Sequence, residues 1–565
     1  MSHKPPVYDM PHPKLPRAAG GALRLLTALA ESPITRMLLV PTLLTNAGIP
    51  QLRALRVVEP PTYMPLHDFE PPARKPAPVR LDKIPKLPRR PEAAFRFNSV
   101  RDYAEAYRQN TLSPIEVAER ALAAMASSDQ ANPPLRVFIS SHPDEVLAAA
   151  EAATQRIRTN KPLGPFDGVP VAIKDEVDVA GYGTTVGTKV FGKTPAAQDC
   201  TVAARLRAAG AVILGKANMA EYGLVTTGLN IPYGTARNPF NPAHHTGGSS
   251  SGPAAAVAAG LCPVAIGVDG GGSIRIPSAF CGLVGIMSTK GRVSGFGAAP
   301  IDRTVGHLGP LAATAEDAAL TYAVIAGVDP NDIDTAHQPP VTLDGLDNAK
   351  LSDLTLGIFP EWFDDADPEV VSICRAMVES LEKLGATIKE VAIPDMGAAY
   401  VAHAVTILSE LASAMLMVPP EAYRDLSPEV RLQFVAAREM NPLDFVQAQR
   451  VRTQTMRHYD DIFQQVDALL APATPFPAPP VPADALSDGV SDLTQVIATL
   501  RFANQANLCG LPAISFPAGF ASNGLPVGFQ AVGRPWTEST LLRLAYAADS
   551  LIERRRPQVY FDLLA

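Results

Sequence analysis

Residues 245–275 read HTGGSSSGPAAAVAAGLCPVAIGVDGGGSIR, and this stretch decides the fold. Two glycine- and serine-rich clusters bound it: Gly247-Gly248-Ser249-Ser250-Ser251-Gly252, and Asp269-Gly270-Gly271-Gly272-Ser273-Ile274-Arg275. Between them, an alanine-rich run predicts a helix over 254–259 and an apolar run predicts a strand over 264–268. Three glycines before Ser273 let the backbone reach φ > 0 and approach itself or a ligand closely. The N–H groups of such a loop can converge on one point, which is what stabilising an oxyanion requires. Glycine is concentrated here, with 13 of the chain's 40 in residues 245–300. One cluster alone would read as a plain turn. Two, both rich in serine and separated by a strand-like segment, favour a site.

The same alternation continues outward. Upstream, Ser113-Pro114-Ile115-Glu116 has the form of a capping box with proline at the first helical position, opening a helix to about 127. A strand over 135–140, a helix over 148–158, a strand over 169–173, a helix over 202–209 and a strand over 212–214 follow. Downstream come strands over 354–358, 387–391, 468–471, 513–516 and 527–532. Helices over 369–384, 444–463 and 539–554 separate them, and 419–442 reads as two helices. Strands alternating with helices predict a large α/β domain over 96–565, its mixed twisted sheet covered by helices on both faces.

The 565 residues are 47% hydrophobic and 19% charged, which rules out global disorder. Proline is abundant, 55 in all, and 18 of these fall in the first 100 residues. Those 100 residues carry a net charge of +8, while the remaining 465 carry −15. An acidic body argues against nucleic acid as a partner, because phosphate contacts need clustered Lys and Arg. Residues 1–95 therefore read as a separate extension. Short apolar helices are expected over 22–30 and from 34 onward. Glu31, Pro33, Arg36 and Pro41 keep any run short of the roughly 18–20 apolar residues of a membrane span. Packing of these helices on the body is favoured over lying on a membrane surface. Residues 50–95, through Pro71, Pro72, Pro76, Pro78, Pro85, Pro88 and Pro91, read as an extended strap without regular helix. The first 20 residues show no apolar segment of a secretory signal. Five scattered cysteines without metal-binding spacing read as reduced, buried thiols of a cytoplasmic protein.

A serine nucleophile needs a base. There is no G-x-x-x-x-G-K-[ST] loop and no G-x-G-x-x-G opening a helix after a strand. Residues 248–252 match G-x-S-x-G formally. An elbow of that kind follows an apolar strand, and Asn241-Pro242-Ala243-His244-His245-Thr246 reads as loop. Ser273, by contrast, follows a predicted strand. Candidate bases are His244, His245 and Lys174. Lys174 closes the strand Val169-Pro170-Val171-Ala172-Ile173, where burial would favour a neutral amine. Pairing with Asp175 or Glu176 is the plainer role for that lysine.

The run from Lys174 to Arg275 resembles the amidase signature family. The marks are the lysine after a Gly-Val-Pro strand, the Gly-Gly-Ser-Ser-Ser-Gly loop, and a Gly-Gly-Ser-Ile-Arg loop 24 residues after Ser249. Further matching pieces are Gly215-Lys216-Ala217-Asn218, Cys281-Gly282-Leu283-Val284-Gly285 and Gly510-Leu511-Pro512. The resemblance covers about residues 96–565. It implies Ser273 as the acylating nucleophile, Ser249 as proton relay within a cis peptide, and Lys174 as base. It implies an oxyanion hole from the N–H groups of Gly270, Gly271, Gly272 and Ser273. Ser250 would support the relay, Asp269 and Arg275 would scaffold the loop, and His244 and His245 would be loop or wall residues. No cofactor and no metal are implied. Met287-Ser288 departs from the family's usual Lys-Pro.

The triple serine, the Val268-Asp269-Gly270-Gly271-Gly272-Ser273 run and Gly533-Arg534-Pro535-Trp536 resemble the plant-type fatty acid amide hydrolases. So does the leucine-rich, proline-strapped leader. That resemblance implies a lipid amide substrate such as an N-acylethanolamine, N-terminal helices over an acyl-chain channel, and a homodimer, while the basic, apolar leader itself leaves peripheral membrane contact open. An amidase for small or aromatic amides, esters or carbamates is the alternative within the same chemistry. A tRNA-dependent amidotransferase fits the acidic body less well.

Overall fold

The computed structural model describes residues 7–69, 79–87 and 95–565. Of the expected strap, Pro71, Pro72, Pro76, Pro78, Pro88 and Pro91 lie outside the described residues. The body is built on one mixed sheet of eleven strands, flanked by helices. In chain order they are β1 Phe138–Ser140, β2 Pro170–Lys174, β3 Val212–Ala217, β4 Val264–Asp269, β5 Val284–Met287, β6 His307–Ala312, β7 Thr355–Ile358, β8 Thr387–Glu390, β9 Ala468–Pro472, β10 Ala513–Phe520 and β11 Pro526–Gly533. Their order across the sheet is β8-β7-β9-β11-β10-β5-β6-β4-β2-β3-β1. The strands β4, β2 and β3 are mutually parallel, whereas β4 meets β6, and β6 meets β5, antiparallel.

The central strands are buried along their whole length, so they read as continuous apolar runs rather than alternating ones. Several helices start at a side-chain cap, among them those opened by Ser99, Ser113, Ser427 and Asn441. Ser113 and Glu116 close a capping box on Pro114–Gln130, as the spacing predicts. The expected strands over 169–173, 212–214, 264–268, 468–471 and 527–532 are all present, each within a few residues of its expected ends.

Eight helices matter for the site. They are α1 Gly20–Glu31, α2 Pro33–Asn46, α3 Ile49–Ala54, α4 Ser251–Ala258, α5 Arg275–Phe280, α6 Met396–Ala414, α7 Pro428–Ala437 and α8 Pro442–Phe463. The helix expected from 34 onward is α2, which runs to Asn46 with Pro41 inside it. One expectation for the leader is corrected here. Residues 50–95 do contain a helix, α3, because Pro50 sits in its first turn, where a missing N–H costs nothing. Val40, Ile49 and Leu52 are buried against the body, and α1 packs Leu23 and Ala30 onto Leu432 and Val435 of α7. Ala18–Ala19 adds a short antiparallel pairing with Val490–Ser491. Among the described residues, one helical stretch, Met396–Met417, has the length and apolarity of a membrane span, and half of it is buried inside the fold.

Candidate active site

Strands β2 and β4 run side by side in parallel, with Val171 opposite Val264 and Ile173 opposite Ile266. Their carboxyl ends therefore reach the same edge, bringing Lys174 next to the loop that starts at Asp269. Ligand sites of open α/β sheets lie at such carboxyl ends. The serine loop reaches this edge from the other side. Gly248 N–H donates to Thr226 O at 2.7 Å, Ala220 N–H donates to Ser249 O at 3.0 Å, and the Gly248–Ser249 peptide is cis. A Cβ on Gly252 would lie 2.2 Å from Asn218 N, so only glycine lets the start of α4 seat this deeply.

Lys174 is fully buried, and its Nζ has three neighbours. Ser249 Oγ is at 2.8 Å, Val268 O at 3.1 Å and Glu176 Oε2 at 2.6 Å. Ser250 Oγ donates to the same Val268 carbonyl at 3.3 Å. The pairing foreseen for Lys174 thus falls to Glu176, while Asp175 pairs with Lys216 at 3.1 Å.

The loop after β4 is tied down by its own charges. Arg275 and Asp269, both without solvent exposure, pair at 3.1 Å. Asp269 also accepts from Ile274 N–H at 3.0 Å and from Asn507 Nδ2 at 3.0 Å. Burial opposes the charge on Asp269, but Arg275 and these donors outweigh it and hold the carboxyl below its ordinary range. Gly272 N–H donates to Asp269 Oδ1 at 2.5 Å. That N–H is therefore engaged by the scaffold, unlike the expectation that all four loop amides serve an oxyanion hole. The N–H groups of Gly270, Gly271 and Ser273 have no acceptor among the described residues. Gly272 has φ +127°, and a Cβ there would come within 2.6 Å of Ile276 Cδ1.

Ser273 is half-buried and, with Gly271, lines a cavity of about 600 Å³. Gly223 lines it too, and a Cβ on Gly223 would sit 3.6 Å from Ser249 Oγ. The other walls come from the leader (Leu15, Ala47, Leu52), from α6 (Val401, His403, Ile407) and from Leu500. His244 and His245 lie elsewhere. They belong to a two-stranded hairpin, Arg237–Asn238 with Asn241–His245, where a loop was expected. Its two short strands lie only a tight turn apart in sequence, so they pair locally without the apolar pattern of a sheet strand. Burial pushes the His245 ring down to about 3, so it is neutral.

Three residues of this neighbourhood escaped the sequence reading of the site: Asn507, Gln530 and His403. Asn507 donates to Asp269 O at 2.7 Å, and Gln530 accepts from Arg275 at 2.8 Å. His403 Nε2 lies 2.7 Å from Gly270 O. Only Asn507 had a signal, its place just before the Gly510-Leu511-Pro512 motif. Among the described residues no cluster of His, Cys, Asp or Glu is arranged to hold a metal ion.

The family model described as Amidase matches residues 119–542. A Medicago truncatula protein named fatty acid amide hydrolase is 36% identical, covering 100% of this chain and 97% of the relative. An Arabidopsis thaliana protein of the same name is 35% identical, covering 98% and 95%. A glutamyl-tRNA(Gln) amidotransferase chain from Symbiobacterium thermophilum is 35% identical, covering 77% of this chain and 93% of the relative. Among solved structures, the native peptide amidase of Stenotrophomonas maltophilia superposes with a TM-score of 0.70 at 29% identity, covering 82% of this chain and 99% of that one.

Proposed function

The chain belongs to the amidase signature family and is an amide-hydrolysing enzyme, and on that premise we propose that it cleaves long-chain fatty acid amides, such as N-acylethanolamines, through an acyl-enzyme on Ser273. The observation that carries the substrate class is the cavity of about 600 Å³ that starts at Ser273 and is walled largely by apolar residues of the leader and α6.

The geometry supports a relay. Lys174 Nζ, 2.8 Å from Ser249 Oγ, is placed to take the Ser249 hydroxyl proton as the base of the relay. Ser249 Oγ takes the proton of Ser273 Oγ, which attacks the amide carbon. The negative charge that forms on the carbonyl oxygen is met by the N–H groups of Gly270, Gly271 and Ser273. Gly272 serves the loop rather than the oxyanion, because its N–H is held by Asp269. The Lys174 ammonium returns its proton through Ser249 to the departing amine, leaving an ester on Ser273. Water then attacks that ester by the same route, giving the fatty acid. Ser250 supports the relay through Val268 O, and Asp269 and Arg275 hold the loop.

We read residues 1–95 as an extension that walls the cavity and 96–565 as the catalytic body. On α2, Ile34, Met37 and Leu38 are 77–82% exposed, an apolar face suited to a lipid surface or to a second copy in a homodimer. Vesicle co-sedimentation and light scattering separate those two occupants.

The test compares kcat/KM for a palmitoyl amide and an acetyl amide of the same amine. The long chain is expected to win by at least about tenfold, since each buried CH₂ contributes about 0.8 kcal/mol. Preference for the acetyl amide would replace this reading with a small-amide amidase. Ser273→Ala should abolish both turnover and labelling by a fluorophosphonate, and labelling retained at Ser249 would move the nucleophile.

A further inference from the structure

His403 sits in the middle of α6, 133 residues from the loop it touches. It is 2% exposed and lines the same cavity as Ser273. Its Nε2 lies 2.7 Å from Gly270 O. A carbonyl oxygen only accepts, so Nε2 carries the hydrogen and donates it. The ring also packs hard on the loop, because a Cβ on Gly271 would come within 2.9 Å of His403 Cε1.

The Gly270–Gly271 peptide is trans, so its C=O and N–H point in opposite directions across one rigid plane. Fixing the Gly270 carbonyl on one side fixes the Gly271 N–H on the other. We propose that His403 is a positioning residue of the oxyanion loop: by holding the Gly270 carbonyl, it aims the Gly271 N–H at the oxygen of the substrate amide. This rests on the Ser273 reading given above. Three glycines in succession would otherwise leave that peptide free to turn. The neighbouring Gly272 amide is held by Asp269 from within the loop, whereas the Gly270–Gly271 peptide is held from α6. Burial pushes the imidazole down to about 4, outweighing the opposite effect of the Gly270 hydrogen bond, so it donates as a neutral ring.

The test pairs His403→Leu, which keeps bulk without a donor, with His403→Gln, whose amide nitrogen can stand where Nε2 stood. His403→Ala is read as the Leu variant should the latter not fold. With a short-chain amide, the Leu variant is expected to lose about 30- to 100-fold in kcat with KM within about threefold, short of the full loss of one oxyanion donor. Affinity for a trifluoromethyl ketone, which forms a tetrahedral oxyanion adduct on a serine, should fall by a similar factor. The Gln variant should recover to within about fivefold of wild type in both. Equal impairment of Leu and Gln variants, a loss confined to KM, or unchanged ketone affinity would overturn the proposal. If the wild-type enzyme forms no ketone adduct on Ser273, the nucleophile assignment falls, and this inference with it.

Discussion

Arg275 illustrates how little freedom the residues around Ser273 have. Its guanidinium is fully buried and meets Asp269, Asn507, Gln530 and Ala503 O. Removing one partner of a buried ion pair leaves the other charge uncompensated, at a cost of about 3–5 kcal/mol. Arg275→Gln should therefore destabilise the enzyme by about that amount in urea unfolding at neutral pH. The pH dependence has a definite sign. The folded pKa of Asp269 is depressed, so its contribution to stability is present above the ordinary carboxyl value and is lost as pH falls through the lower folded value. Without Arg275 the depression shrinks, and the midpoint of acid unfolding should move to higher pH. An unmoved midpoint would mean that the backbone donors alone hold the charge. Asp269 and Arg275 were legible from their motif, yet Asn507 and Gln530, which complete their hydrogen bonds, come from more than 200 residues away.

Helix α7 presents a different balance. Its Glu429 is buried, and burial together with nearby Glu221 pushes its carboxyl up to about 8. Glu221 is itself pushed up to about 7 by burial. Both carry a proton in the folded protein over a range where the unfolded chain has released it. Stability should therefore fall as pH rises from about 4.3, by about 1.4 kcal/mol per pH unit for each group, until about 7 for Glu221 and about 8 for Glu429. Glu429→Gln removes one of the two slopes, so at pH 8 the variant should melt above the wild type and at pH 5 the two should converge. Thermal melts across that range check it. At this scale the sequence was readable where a capping box marked an element, as at Ser113, but it missed Ala315–Ile325 and Leu493–Leu500 despite the caps Thr314 and Asp492. It was silent on α6, which is apolar on most faces and begins at Asp395 in a left-handed conformation without a side-chain cap. It was also silent on β5 and β6. There Gly309 brings the strands so close that a Cβ would lie 2.2 Å from Ile286 O, a packing need that resembles a turn signal in sequence.

Over the whole molecule, the charge asymmetry of leader and body resolves into contacts. Arg17 pairs with Asp484 at 2.6 Å, Arg24 with Asp488 at 3.1 Å and Arg53 with Asp444 at 2.7 Å, and Arg36 pairs with Glu439. Such partly exposed pairs are worth about 0–1 kcal/mol each and weaken in salt. Burial of Leu23, Ile49 and Leu52 is worth about 1.5–3 kcal/mol per side chain. Apolar packing therefore holds the leader, and the arginines orient it. Limited proteolysis of the leader should change little between 0.1 and about 1 M salt, whereas Ile49→Asp should open it to cleavage and reduce selectivity for long acyl chains. Release by salt alone would reverse that ranking.

The amino-acid sequence by itself marked the two glycine- and serine-rich loops, the α/β alternation and a proline-rich leader, because glycine, proline, caps and apolar runs act through local backbone sterics and burial. It also marked Lys174, Ser249 and Ser273 as candidates through their resemblance to a family motif. Only the tertiary structure decided which carboxylate meets Lys174, that the Gly272 amide serves Asp269, and that His403 grips Gly270. Those outcomes depend on how β2, β4 and α6 come together across distant parts of the chain. Local sterics fix what each segment can be, while burial of a polar group obliges it to find whichever partner the packing brings within reach.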